Sequence, residues 1–166
     1  MHIHPHFADH RVIKQIIGAI ALLCLWLGQA SANTDYWRHE WPKTESFQHS
    51  VPLSDILSGG PPRDGIPPIE NPRLKPVSKI EGLAVTEPVI GLAINGKARA
   101  YPLRILMRYE INNDELGGVP ISLTFCPLCN AAMVLDRRVG DKVLDFGTTG
   151  KLRNSELVMW DRQTES

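Results

Sequence analysis

Two cysteines separated by two residues, Cys126-Pro127-Leu128-Cys129, are the strongest chemical feature of this 166-residue chain. A pair at this spacing can close a small disulfide ring, exchange electrons as a dithiol, or offer two thiolates to one soft metal ion. Context separates these outcomes. A redox dithiol places its first cysteine at the start of a helix, whose N-terminus lowers the thiol pKa. Here two strand-like runs, 119–125 and 131–135, flank the pair. Pro127 fixes φ and removes an amide donor, and Asn130 tolerates left-handed backbone, so the four residues between the runs predict a tight turn. That turn carries the Cys129 sulfur back toward Cys126. The alternation turns Phe125 inward, which places Cys126 on the outer face with Thr124.

Cys-Pro-x-Cys followed by Gly or Asn resembles the knuckle of rubredoxins and zinc ribbons. One knuckle is half of a tetrahedral site, and no second pair follows; the third cysteine, Cys24, lies far upstream. The reading is therefore a copper or zinc site with Cys126 and Cys129 as ligands, completed from Met133, His39, His49, Glu110 or residues expected beyond Ser166. Met133 would favour Cu(I), because thiolate and thioether are both soft donors; its other reading is packing on a strand. His39 and His49 fall in a Pro-rich segment that suits surface roles. Thiol–disulfide exchange and an inert Cys126–Cys129 disulfide stay open as alternatives.

The remaining polar residues carry weaker signals. Glu110 and Asp114 flank Asn112-Asn113, and Asp136, Asp145 and Asp161 stand at strand ends, where caps and solvated ends are the usual roles. Gly147-Thr148-Thr149-Gly150-Lys151 lacks the spacing of a phosphate loop. Neither His39 nor His49 lies in the strand region, so no Ser-His-Asp set is visible. Eighteen basic and 18 acidic residues give a formal net charge of zero, which removes the footprint of a nucleic-acid binder. With 43% hydrophobic and 22% charged residues the chain has globular composition. Nothing in it indicates a protein partner.

The elements that must hold the cysteines come in three blocks. Residues 1–32 read as a signal peptide: Arg11 and Lys14, an apolar core over 16–28, then Ala30-Ser31-Ala32, with cleavage after Ala32. The leading His2, His4, His6 and His10 precede that core and are expected to be discarded with it. Export, to the periplasm or beyond, is the expected location. The alternative is an inner-membrane anchor over 15–34, just long enough to span; membrane contact is expected only in that case. Residues 33–81 carry eight of the 13 prolines and predict an irregular arm wrapped on the domain, with Ile66 and Ile69 packed against it.

Residues 82–166 predict a mainly β domain, a sandwich or partial barrel with one or two short helices. Asn95-Gly96 marks a hairpin, with its return strand turning Lys97, Arg99 and Tyr101 to solvent and Ala98 and Ala100 inward. Pro102 opens a short helix in which Leu103, Leu106 and Met107 share a face, and Asn112-Asn113-Asp114 ends it. Hairpin and strand 119–125 are expected to share one core, Ile90 or Val89 meeting Leu123. Gly140-Asp141 marks a second hairpin, leading to a turn-rich 147–150 and a last strand over 157–160.

Taken together, GIPPI (65–69), EPVIGLAINGKARAYPLRIL (87–106), GGVPISLTFCPLCNAAMVLDRR (117–138) and NSELVMWDRQT (154–164) resemble the bacterial "domain of unknown function 3179" family over roughly 60–166. The run around the cysteine pair is the most specific part. The resemblance implies an exported or membrane-tethered protein and carries no reaction with it. Members of that family usually have His-Glu-Ile where this chain has Tyr109-Glu110-Ile111, and Gly where it has Asn130. If that His is a ligand or base, Tyr109 weakens the site here. The family domain also runs past Asp161-Arg162, so a C-terminally truncated domain is expected.

Overall fold

The computed structural model describes residues 34–44 and 48–166. The expected leader over 1–32, its histidines and nearly all of the alternative anchor at 15–34 lie outside them. Among the described residues no helix is long and apolar enough to cross a membrane.

Proline spacing keeps the elements of the arm short. Among its described residues it forms a helix α1 (Thr34–Glu40), two 3-10 turns (Leu53–Asp55 and Val77–Lys79) and two strands, β1 (Ile56–Ser58) and β2 (Ile69–Glu70). Yet both strands are inserted into sheets of the domain, so the arm is woven in as well as wrapped. Ile66 and Ile69 are half-buried, as expected.

Asn95 and Gly96 have φ of 49° and 71°, the double positive φ of a tight hairpin turn. They join β3 (Val89–Ile94) to β4 (Lys97–Pro102). Lys97 is exposed as expected, but Tyr101 is buried and Arg99 half-buried, whereas Ala98 and Ala100 are exposed. The cause is Asp114, which accepts hydrogen bonds from the Arg99 guanidinium and, at 2.9 Å, from the Tyr101 hydroxyl. An acceptor inside turned the two long side chains inward over the two alanines.

Helix α2 (Leu103–Tyr109) follows, with Leu106 buried and Met107 exposed. It ends at Glu110, whose φ of 60° breaks it. Residues 112–114 do not form its terminating turn. They are buried in strand β5 (Ile111–Leu116). This strand was hidden by polarity, because Asn113 and Asp114 are held by partners elsewhere in the chain rather than by apolar packing.

β5 pairs antiparallel with β6 (Val119–Cys126), β6 pairs antiparallel with β7 (Ala131–Asp136), and β2 adds parallel to β5, giving a sheet ordered β2-β5-β6-β7. A small hairpin, β8 (Arg138–Val139) and β9 (Lys142–Val143), turns at Gly140. Then β10 (Phe146–Arg153) and β11 (Glu156–Asp161) make a second sheet with β1, ordered β1-β10-β11. Gly147 to Gly150 therefore lie inside a strand, where turns were expected. The ladder is bulged between Thr148 and Lys151. A Cβ on Gly150 would run into the Pro61 carbonyl, so that glycine lets the arm lie directly on the strand.

The four-stranded sheet is the middle layer. Cross-strand partners share a face, so Ile121, Leu123 and Phe125 project to one side and Ser122, Thr124 and Cys126 to the other. The first side carries the apolar core: Leu123 and Phe125 with Tyr101 and Leu106, and Ile90, Leu92 and Leu103 packed against them. Ile90 is thus the hairpin residue in that core, while Val89 is exposed. The second side meets β10 and β11, as Asn113 donating to the Phe146 carbonyl at 2.8 Å shows. Cys126, expected on an open face, is buried because this second layer covers it.

Candidate metal centre

β6 runs directly into the cysteine turn. Residues 127–130 reverse the chain into β7, and Asn130 has the left-handed φ of 50° that the turn needs. Cys126 is still within the ladder, opposite Ala131, so its sulfur is fixed by the sheet. Cys129 stands on the turn and is exposed. Both are free thiols.

What faces them comes from the other sheet. Asn154 and Ser155, with φ of 51° and 67°, form the hairpin turn between β10 and β11. Neither is glycine, so the turn carries backbone strain at Ser155. It brings the Ser155 carbonyl to 3.5 Å from the Cys126 sulfur, where it accepts the thiol hydrogen bond. Glu156, the next residue, accepts a hydrogen bond from the Cys129 thiol at 2.8 Å through its Oε2. The two sulfurs and a Glu156 carboxylate oxygen all lie within 4.8 Å of one another. A second hairpin turn thus sets one carboxylate beside the two sulfurs, where the sequence showed no second cysteine pair.

The electrostatics follow from that neighbour. Hydrogen bonds to Glu156 and to Cys126, with the carboxylate charge beside them, push the Cys129 thiol up to about 12. A thiol held in this way is a poor nucleophile at neutral pH. No helix begins at the pair, so the helix N-terminus that lowers the first thiol's pKa in thioredoxin-like exchangers is absent here. A cation between the three groups would reverse the balance, since a bound metal deprotonates a coordinating thiol outright.

His39, His49 and Glu110 are not part of this group. His39 is exposed on α1. His49 is exposed and its Nδ1 is 2.7 Å from the Val51 carbonyl oxygen. Glu110 is half-buried, with its carboxyl pKa raised by burial, and its carbonyl accepts from the Phe125 amide. Met133 is not core packing: it is exposed on β7, opposite Thr124 and on the same face as Cys126. The acidic candidates have structural partners. Asp136 pairs with Arg138 and is held down at about 2. Asp145 pairs with Arg137, and Asp161 caps the final turn through the hydroxyls and amides of Thr164 and Ser166.

Glu156 is the residue that sequence reasoning missed. It lies 27 positions beyond Cys129, and its approach depends on how the two sheets stack. Asn154-Ser155 is a permissible hairpin turn, but nothing in one sequence says which other turn it will face.

No curated protein and no solved structure matches the chain. A family model described as "Protein of unknown function (DUF3179)" matches residues 63–166, a stretch that holds the cysteine turn, Glu156 and the second layer that joins them. The chain belongs to that family.

Proposed function

We propose that this domain binds one soft metal ion through Cys126, Cys129 and Glu156, and that the ion is zinc rather than copper. The observation that supports it is the convergence of two thiols and a carboxylate within 4.8 Å from two separate hairpin turns. Two thiolates alone would suit Cu(I). A hard carboxylate oxygen as third donor is poorly matched to Cu(I) and common for Zn²⁺. Three protein donors leave a fourth tetrahedral position for water or for a donor from outside. The export expected from the N-terminal segment belongs to the same proposal, since an envelope location would give such a site its supply of metal.

The test is a competition titration of reduced protein against a chromophoric zinc chelator. Wild type should take up about one equivalent. The Cys126→Ser/Cys129→Ser double variant should take up none while keeping its fold by circular dichroism. Glu156→Gln should bind at least about tenfold more weakly, the scale on which zinc sites respond to altered coordination. Equal binding by wild type and double variant, or none by either, sinks the metal reading. N-terminal sequencing of envelope material should start at Asn33.

A further inference from the structure

We infer that the site is a redox-gated one, releasing its metal when an external disulfide converts Cys126 and Cys129 to an intramolecular disulfide, and that Cys129 is the sulfur that reacts first. The inference rests on the metal reading above. Its own basis is the asymmetry of the pair. Cys129 is exposed on a turn, and its neighbour Leu128 is 69% exposed, so a small disulfide meets little obstruction there. Cys126 is 3% exposed, held in the β6–β7 ladder and covered by the Ser155 carbonyl. The outer sulfur is reachable, and the inner one is reachable only from the outer one.

The closing distance suits this order. The sulfurs lie within 4.8 Å of each other, and a disulfide needs about 2 Å. The four-residue turn can supply that movement without shifting β6, because Cys129 has no ladder partner. Closing it turns both thiolates into disulfide sulfur, which leaves Glu156 as the one charged donor of the three.

The chemistry balances with a disulfide RSSR as oxidant. The zinc-bound Cys129 thiolate attacks one sulfur of RSSR; the RS–SR bond breaks, a Cys129–SR bond forms and one RS⁻ leaves. The Cys126 thiolate then attacks the Cys129 sulfur. The Cys129–SR bond breaks, the Cys126–Cys129 bond forms, and a second RS⁻ leaves. Two electrons pass from the two cysteines to RSSR, Zn²⁺ dissociates, and each RS⁻ takes a proton from water.

The experiment uses the chain loaded with zinc and oxidised glutathione as the probe. Loading is measured first, so failure to bind zinc is seen separately and overturns the metal reading together with this inference. After loading, oxidised glutathione should release one zinc for every two thiols lost, with the protein mass falling by two hydrogens. In metal-free chains, where the Cys129 thiol is mostly protonated and reacts slowly, Cys126→Ser should still gain a glutathione adduct at Cys129 faster than Cys129→Ser gains one at Cys126. Zinc that stays bound with both thiols intact overturns the inference and leaves the metal reading standing. So does addition of two glutathiones to the wild type, or faster modification of Cys129→Ser than of Cys126→Ser.

Discussion

The two faces of the middle sheet are built on different terms, and β6 shows both within one strand. Towards the β3–β4 hairpin and α2, Leu123 and Phe125 pack against apolar side chains. On the side towards β10 and β11, Cys126 donates to the Ser155 carbonyl and Thr124 to the Met133 carbonyl within its own sheet, while the Ser122 hydroxyl finds no partner among the described residues. Both faces are buried to a similar degree. The apolar face is stabilised by area removed from water, which is indifferent to small changes of partner. The polar face depends on individual atoms being within reach, and it is the face on which the two hairpin turns bring their sulfurs and carboxylate together. The proposed metal site would need fixed donors, and the polar interlayer holds the Cys126 sulfur in place.

Breaking the apolar face is expected to have the largest effect. Leu123 is fully buried, so Leu123→Ala removes apolar contacts and leaves a cavity, at a cost of about 2–5 kcal/mol. Urea unfolding should show the loss as a lower midpoint with an unchanged slope. A loss below about 1 kcal/mol would mean that the core is less closely packed than the contact set indicates.

On the polar face the corresponding residue is Asn113. Its amide donates to the Glu70 carboxylate at 3.0 Å and to the Phe146 carbonyl at 2.8 Å, and its oxygen accepts from the Phe146 amide at 3.3 Å. Asn113→Ala leaves these partners unpaired in a buried layer, a cost of about 1–3 kcal/mol. Because the same bonds hold β10 against β5, zinc affinity should fall as well, which Leu123→Ala at equal residual stability should not reproduce. Affinity unchanged in Asn113→Ala would separate the site from the interlayer and break the comparison.

The two faces also differ in how far they can be read in advance. Apolar alternation in residues 119–125, Asn95-Gly96 and the Leu103–Leu106 spacing each point to their true place, because area and turn chemistry are local properties. The polar face gives no such signal. Asn112-Asn113-Asp114 looks like a turn until Glu70, Phe146, Arg99 and Tyr101 are in position. Gly147-Thr148-Thr149-Gly150 looks like a loop until Pro61 lies on it. The cysteines and the left-handed Asn130 are legible as a knuckle, whereas Glu156 depends on a stacking of sheets that no local pattern specifies.

Arg99, Tyr101 and Asp114 carry a polar group into the apolar side, and pH tests it. Burial, with the hydrogen bond to Asp114, pushes the Tyr101 phenol up to about 12 from an ordinary value near 10. Its folded-state pKa is raised, so the stability it contributes is fully present below pH 10 and is lost as pH rises toward 12. Ultraviolet titration of phenolate should show one late-ionising tyrosine that disappears in Tyr101→Phe. The variant should also lose stability less steeply than wild type between pH 10 and 12. An ordinary titration in the wild type would mean that the hydroxyl does not lean on Asp114.

The smallest expected effect lies next to the largest. Ser122 is fully buried, one residue from Leu123 and on the opposite face, and its hydroxyl has no hydrogen-bond partner. An unpaired buried hydroxyl costs its desolvation without return. Ser122→Ala removes that cost together with one small atom, so stability should change by less than about 0.5 kcal/mol or rise slightly, despite complete burial. Two neighbouring substitutions to alanine, equal in burial, would then differ by at least about 1.5 kcal/mol. The discriminating measurement is the pair of urea midpoints under one buffer. A Ser122→Ala loss approaching that of Leu123→Ala would require a partner for the hydroxyl, such as a water held between the sheets. The polar face would then be fully satisfied, and the difference between the faces would lie in what they bond to, with no difference in how completely they bond.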